Sequence, residues 1–398
     1  MSIATKVQAS LTRSSWIRKM FEEGEKLRQI YGADQVYDFT LGNPDLEPPT
    51  TFKELLKEYA TNPVPGMHKY MSNAGYPETR RQIANYLNQK SGLPFSENQI
   101  VMTVGAGGGL NVIFKTLLDP GDEVIVSAPY FVEYSFYVDN HQGKLVVTQT
   151  KVDFQLDPEA IAAAITPRTK AILINSPNNP TGAVYTQETL QKLAAVIQAK
   201  ETEYQKVIYL ISDEPYSGLV YDGITVPSIF KIFPHSILAT SHSKDLALPG
   251  ERIGYLAVSP LLPDATLIFD GLVFANRTLG FVNAPALMQR LIGSLQGTTV
   301  GVEIYQERRD LLYIHLTKLG FKLIKPQGAF YLFPKSPIAD EIAFCQAAQK
   351  YNLLLVPGSG FGASGYFRIA YCVSRETILN SFEAFRKLAE EFNLHISN

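Results

Sequence analysis

The sequence predicts an α/β protein: a mostly parallel sheet covered by helices, plus a smaller α+β domain. Three observations carry that prediction. Short apolar strand-like runs alternate with helical segments from about Ile100 to Val258. Four of those runs end in candidate ligand loops, three with polar side chains and one a run of glycines, and a parallel sheet gathers such loops on one edge. After about Gln296 the alternation gives way to a long charged helix followed by very short strands. The expected segments are 1–45, an N-terminal arm and a segment packing with the small domain; 46–295, the large ligand-holding domain; and 296–398, the small domain.

Taken in order, residues 3–30 read as a polar arm and an amphipathic helix. Val36 to Leu41 alternates as a short strand and ends in Gly42-Asn43-Pro44-Asp45, which is turn chemistry. Helical spacing covers Phe52–Tyr59 and Glu78–Gln89. Ile100–Val104 is a buried strand, Gly105–Gly109 a glycine turn, Leu110–Leu118 a helix and Glu123–Ser127 a strand. Further strands are expected at 144–148, 170–174, 207–211, 237–240 and 252–258, with a helix at 190–200. Right-handed crossovers then place helices over the sheet. The second domain reads as a helix over 302–319, strands at 321–323, 329–333, 353–356 and 366–370, and helices over 340–350 and 375–392.

The composition narrows the function classes. At 398 residues the chain can bury a large core, and 45% hydrophobic with 19% charged residues is ordinary for a soluble globular protein. A net charge of −2 gives no reason to expect nucleic acid or an anionic membrane as partner. Cys345 and Cys372 form no CxxC pair, so neither a disulfide framework nor a cysteine-rich metal site is suggested. The six histidines show no metal spacing. The start of the chain lacks an apolar core segment, and no run approaches the roughly 20 apolar residues of a membrane span. The expected location is the reducing cytoplasm.

The chemistry collects in the four loops. Ser241-His242-Ser243-Lys244 follows one strand, with Arg252 eight residues beyond the lysine. Ser241, Ser243 and Arg252 can donate to a phosphate, and Lys244 can condense with an aldehyde on the same molecule. A surface lysine after a strand reads equally well in isolation. The glycine run opens a helix, where free N–H groups and the helix dipole favour an anion. It is neither a dinucleotide fingerprint nor a P-loop: Leu110 stands where GxGxxG needs glycine, and no GK[ST] follows. Asp213 follows an apolar run, and a carboxylate there needs a cation or several donors; a helix cap or salt bridge answers that need as well. Asn179-Pro180-Thr181-Gly182 is a turn with an amide donor.

Together the loops offer an amine, an acid, amide and phenol donors and an anion cradle, which are the needs of pyridoxal phosphate. Asn179-Pro180-Thr181-Gly182, Asp213-Glu214-Pro215-Tyr216 and Ser243-Lys244 with Arg252 resemble the class I/II aminotransferases with the aspartate-aminotransferase fold. The resemblance covers nearly the whole chain. It implies that Lys244 is the Schiff-base lysine and proton carrier, that Asp213 partners the pyridinium nitrogen, and that Tyr216 and Asn179 donate to the ring hydroxyl oxygen. Phe131 matches the residue that stacks on the ring. Ala106, Gly107, Ser241 and Arg252 match phosphate ligands, while Gly105 replaces a hydroxyl residue of some relatives. Gly42 and Arg368 match contacts to the substrate, Arg368 as the fork that grips its α-carboxylate. Tyr70 matches a tyrosine that reaches the phosphate of a neighbouring subunit, which implies a homodimer with shared sites.

The implied activity is amino transfer from an L-amino acid (aspartate, aromatic or aliphatic) to a 2-oxo acid. Two alternatives share the cofactor fold, a C–S β-lyase or related eliminating enzyme and a non-catalytic ligand sensor. Dicarboxylate-specific relatives place an arginine before the segment Asn283-Ala284-Pro285. Thr278 aligns there, with Arg277 one residue away. Tyr37, Phe274 and Phe281 nearby suit an aromatic or aliphatic side chain, or are ordinary core.

Overall fold

The computed structural model describes residues 3–8, 10, 11, 28–30 and 32–395. The amphipathic helix expected within 3–30 falls largely outside them. The chain divides into two compact units: residues 46–302 with 327–329, and residues 1–45 with 303–326 and 330–398.

The larger unit is built on seven strands. They are β1 (Ile100–Thr103), β2 (Glu123–Ala128), β3 (Lys144–Gln149), β4 (Thr169–Asn175), β5 (Tyr209–Asp213), β6 (Ser236–Ser241) and β7 (Gly254–Val258). Their order across the sheet is β1-β7-β6-β5-β4-β2-β3. β7 runs antiparallel to both neighbours, and the remaining pairs are parallel. This is the mostly parallel, helix-covered sheet that the sequence predicts.

Strand alternation explains both faces. Ile100, Met102, Ile172, Ile174, Leu210 and Leu238 join one buried cluster. Val101, Ala171, Leu173, Tyr209, Ile211, Ile237 and Ala239 join another. Successive side chains point to opposite faces, so the two clusters cover the two sides of one sheet. Burial on both faces is what makes these strands continuous apolar runs instead of alternating ones.

The single reversed strand matters for the site. Because β7 is antiparallel, its first residue meets the carboxyl ends of two neighbours: Gly254 pairs with Thr103 and with Ser241. An added Cβ at Gly254 would lie 2.3 Å from the Thr240 carbonyl oxygen, so the chains close up here only around glycine. Arg252, two residues earlier, is thereby delivered to the same edge as Gly105 and Ser241.

The smaller unit holds an antiparallel sheet with Phe367–Ala370 between Val356–Pro357 and Tyr331–Leu332. Tyr37–Asp38 pairs in parallel with Leu353–Leu354. Phe39, Phe321, Phe344, Phe367 and Phe385 interlock as its aromatic core. Three expectations fail in detail. Residues 321–323 form no strand. The glycine run does not precede its helix but belongs to it, which spans Gly105–Leu117. The last expected helix is two, Arg375–Asn380 and Phe382–Glu391, broken at Ser381, whose hydroxyl donates to the Ile378 carbonyl at 2.7 Å. Apolar spacing does not register such a local side-chain bond.

Among the described residues, no helix is long and apolar enough to cross a membrane. Gly254→Ala is expected to cost at least about 2 kcal/mol, because a backbone carbonyl cannot move aside as a side chain can. Urea unfolding measures this, and an unchanged midpoint would contradict the packing described.

Candidate active site

Alternation fixes which edge residues share a face. Asn175, Asp213 and Ser241 end their strands two residues beyond Leu173, Ile211 and Ala239, all members of the second cluster. Their side chains therefore emerge on the face covered by helix α1 (Gly105–Leu117) and by helix α2 (Glu133–Asn140). Residues one step out of phase face the other way. Ser212 donates to Glu214 at 2.7 Å, and buried His242 contacts Asp245 and Gln296. His242 thus packs on the side opposite to Ser241, with its ring centre 6.2 Å from that of Tyr255, a member of the first cluster.

Asp213 is the electrostatic centre of this edge. It is 5% exposed, and its carboxyl is pushed up to about 7, first by burial and further by Glu214. Opposing that, the Tyr134 hydroxyl donates to Oδ2 at 2.6 Å. Oδ1 is buried and has no hydrogen-bond partner. Asn175 joins the strand ends: its amide donates to the Asp213 carbonyl at 2.8 Å, and its oxygen accepts from the Asn179 backbone N–H at 2.7 Å. Tyr216 is buried, and the Lys244 amine lies 6.0 Å from the centre of its ring.

The anion cradle is made by the start of α1. The first N–H groups of a helix have no partner within it. No side chain caps this helix, and its first residues Gly105 and Ala106 are buried. Gly105 has φ +68°, and a Cβ there would lie 2.6 Å from an Arg252 guanidinium nitrogen. Glycine at 105 therefore does more than omit a hydroxyl: it lets the Arg252 fork lie against the backbone. A Cβ on Gly107 would come within 2.9 Å of the Tyr137 hydroxyl, so a phenol also borders the cradle. Ser241 and Ser243 are buried beside this edge. Phe131 packs edge-on against Tyr134. Tyr70 is 90% exposed.

The smaller unit contributes a separate cluster. Arg368 is buried, with its guanidinium carbon 4.7 Å from the ring centres of both Tyr331 and Phe361. It donates to the Thr40 carbonyl at 2.5 Å. An arginine packed between two aromatic faces keeps its fork flat. Gly42 faces the Tyr331 hydroxyl so closely that no side chain fits. Arg277 and Thr278 are both exposed at the end of helix Ala265–Thr278, and Arg277 stacks over Phe274 at 5.6 Å.

These residues fit pyridoxal phosphate. A buried carboxylate oxygen lacking a donor complements a cationic ring N–H, and a glycine-lined helix start beside an arginine complements a phosphate. Sequence reasoning missed Asn175, Tyr134 and Tyr137. The tyrosines had a readable signal: Tyr130, Tyr134 and Tyr137 have the i, i+4, i+7 spacing of one helical face. Tyr331 and Phe361 were missed because only the fold brings them to Arg368.

Burial of Asp213 carries a pH signature. Its folded value lies above its ordinary 3.8, so between about 4 and 7 the folded state binds more protons than the unfolded. This group's contribution to stability is present at low pH and is lost as pH rises through 7. In the cofactor-free protein, Asp213→Asn should therefore gain stability relative to wild type between pH 5 and pH 8. Thermal melts at both pH values measure this, and a difference independent of pH would contradict it.

Known proteins resemble this chain over most of its length. The family model for aminotransferase class I and II matches residues 34–385. The aspartate/prephenate aminotransferase of Thermus thermophilus is 36% identical over 357 residues, 88% of this chain and 90% of that protein. Aromatic-amino-acid aminotransferase 2 of Thermococcus litoralis is 30% identical over 96% of this chain and 98% of that protein. An aminotransferase crystal structure from Eubacterium rectale superimposes with a TM-score of 0.95 at 40% identity, covering 99% of this chain and 100% of that one. The Thermus thermophilus aspartate aminotransferase with maleate gives 0.85 at 31% identity, covering 98% and 100%. The chain belongs to the class I and II aminotransferase family.

Proposed function

We propose that this aminotransferase holds pyridoxal phosphate at Lys244 and passes the amino group of an L-amino acid to a 2-oxo acid. The observation that carries the reading is the buried, half-satisfied Asp213 at the centre of the sheet edge. Pyridoxal phosphate, when bound, supplies an aldehyde carbon and a protonated ring that accepts electrons from the substrate α-carbon.

The chain's own residues divide the remaining work. The Asp213 carboxylate would keep the ring nitrogen protonated, because separating that pair in a buried site is costly. Tyr216 and Asn179 would donate to the ring hydroxyl oxygen, and Phe131 would pack on the ring face. The α1 N–H groups of Ala106 and Gly107, with Ser241 and Arg252, hold the phosphate. The Lys244 amine would move the proton between the substrate α-carbon and the cofactor C4′ carbon. Arg368 binds the α-carboxylate through two parallel N–H donors, with the Gly42 backbone alongside.

Exposed Tyr70 suits a role across a subunit boundary, where it would complete the phosphate site of a second copy. We therefore assign a homodimer, acting in the cytoplasm. The relatives named for aspartate, prephenate and aromatic amino acids point to acidic and aromatic substrates. Arg277, a cation on the helix preceding Asn283, suits the second carboxylate of an acidic substrate.

Two measurements test this. Lys244→Ala should abolish amino transfer while the protein stays folded; activity within tenfold of wild type would refute the lysine's role. Arg368→Ala should raise KM for the amino acid by at least about 30-fold, the cost of a lost charge-assisted bidentate contact, with little change in cofactor affinity. Equal losses in both would show that Arg368 does not serve the substrate.

A further inference from the structure

The proposed chemistry leaves a buried ionisable side chain against Asp213 without a task. Tyr134, on α2, is 1% exposed. Its ring meets Phe131 edge-on, with centres 5.6 Å apart and planes at 84°. Its hydroxyl bonds to Oδ2 of Asp213, while Oδ1 of the same carboxylate has no partner. We propose that Tyr134 is the positioning residue of the acid site, occupying Oδ2 so that Oδ1 is kept for the cofactor's ring N–H. This rests on the reading that pyridoxal phosphate binds here.

The physical reasons are specific. The outer torsion of an aspartate is broad and roughly two-fold, so an unrestrained carboxylate can turn either oxygen to a partner. A 2.6 Å O–H···O⁻ contact falls in the range of charge-assisted bonds and fixes that torsion. Its direction is also fixed. Burial, and then Asp213 itself, hold the Tyr134 phenol well above its ordinary range, so Tyr134 stays protonated and donates. The bond favours the ionised carboxylate against burial and against Glu214, which both favour protonation. Tyr216 and Tyr185 are the other ionisable groups acting on Tyr134, and both push its phenol in the same direction. The same ring supports Phe131, so one side chain steadies two groups expected to meet the cofactor.

The test uses cofactor-free protein and pyridoxal phosphate, with Kd measured by equilibrium dialysis from pH 6 to pH 9. Tyr134→Phe keeps the ring and removes only the donor. It should weaken binding about tenfold at pH 8, and the acid-side loss of affinity should move to higher pH. In an Asp213→Asn background the same change should add almost nothing, because Tyr134 acts through Asp213. Should Tyr134→Phe fail to fold, Tyr134→Gln, which retains a donor and does not titrate, is read instead: a wild-type pH profile supports the assignment and a displaced one overturns it. An unchanged Kd and profile in Tyr134→Phe, or fully additive losses with Asp213→Asn, would overturn the inference alone. No binding to the wild type would overturn the proposed function and this inference together.

Discussion

A carboxylate buried at the end of a sheet strand is the constraint on which the rest turns. Moving a charge out of water costs several kcal/mol unless a partner compensates. Asp213 is compensated on one oxygen by Tyr134 and left open on the other. That asymmetry is tolerable in a cofactor enzyme and wasteful in a structural salt bridge. In the proposed function a cation delivered by the ligand would complete the pair, so the same burial that destabilises the empty site would strengthen the loaded one.

The architecture exists to bring other groups to that point. Parallel strands β4, β5 and β6 end together, and alternation turns Asn175, Asp213 and Ser241 to one face. The reversed strand β7 starts where the others stop and carries Arg252 to the glycine-lined start of α1. At 105, where φ is +68°, glycine is the unstrained choice, and a side chain would also displace the arginine. In the smaller unit Tyr331 and Phe361 hold Arg368 flat and buried.

Much of this was legible in the sequence. Apolar runs marked the strands because both faces of the sheet are covered, and the four loops singled out by composition do end at one edge. The family motifs added roles that spacing alone could not, since a lysine after a strand is ambiguous without its partners. What stayed hidden was of two kinds. Long-range contacts such as Tyr134 to Asp213, 79 residues apart, leave no local pattern beyond a tyrosine-rich helical face. Local hydrogen bonds, such as that of Ser381, split one apparent helix in two without disturbing its apolar period. The short strands around Arg368 were visible as apolar stretches, but their exact ends were set by pairing.

The central claim is that Asp213 faces a protonated ring nitrogen. The most direct measurement is the ¹⁵N chemical shift of ring-labelled pyridoxal phosphate bound to the wild-type protein near neutral pH. A pyridinium shift in the wild type, replaced by a neutral pyridine shift in Asp213→Asn, is the predicted result. A neutral nitrogen in the wild type, or one indifferent to Asp213, would contradict the account.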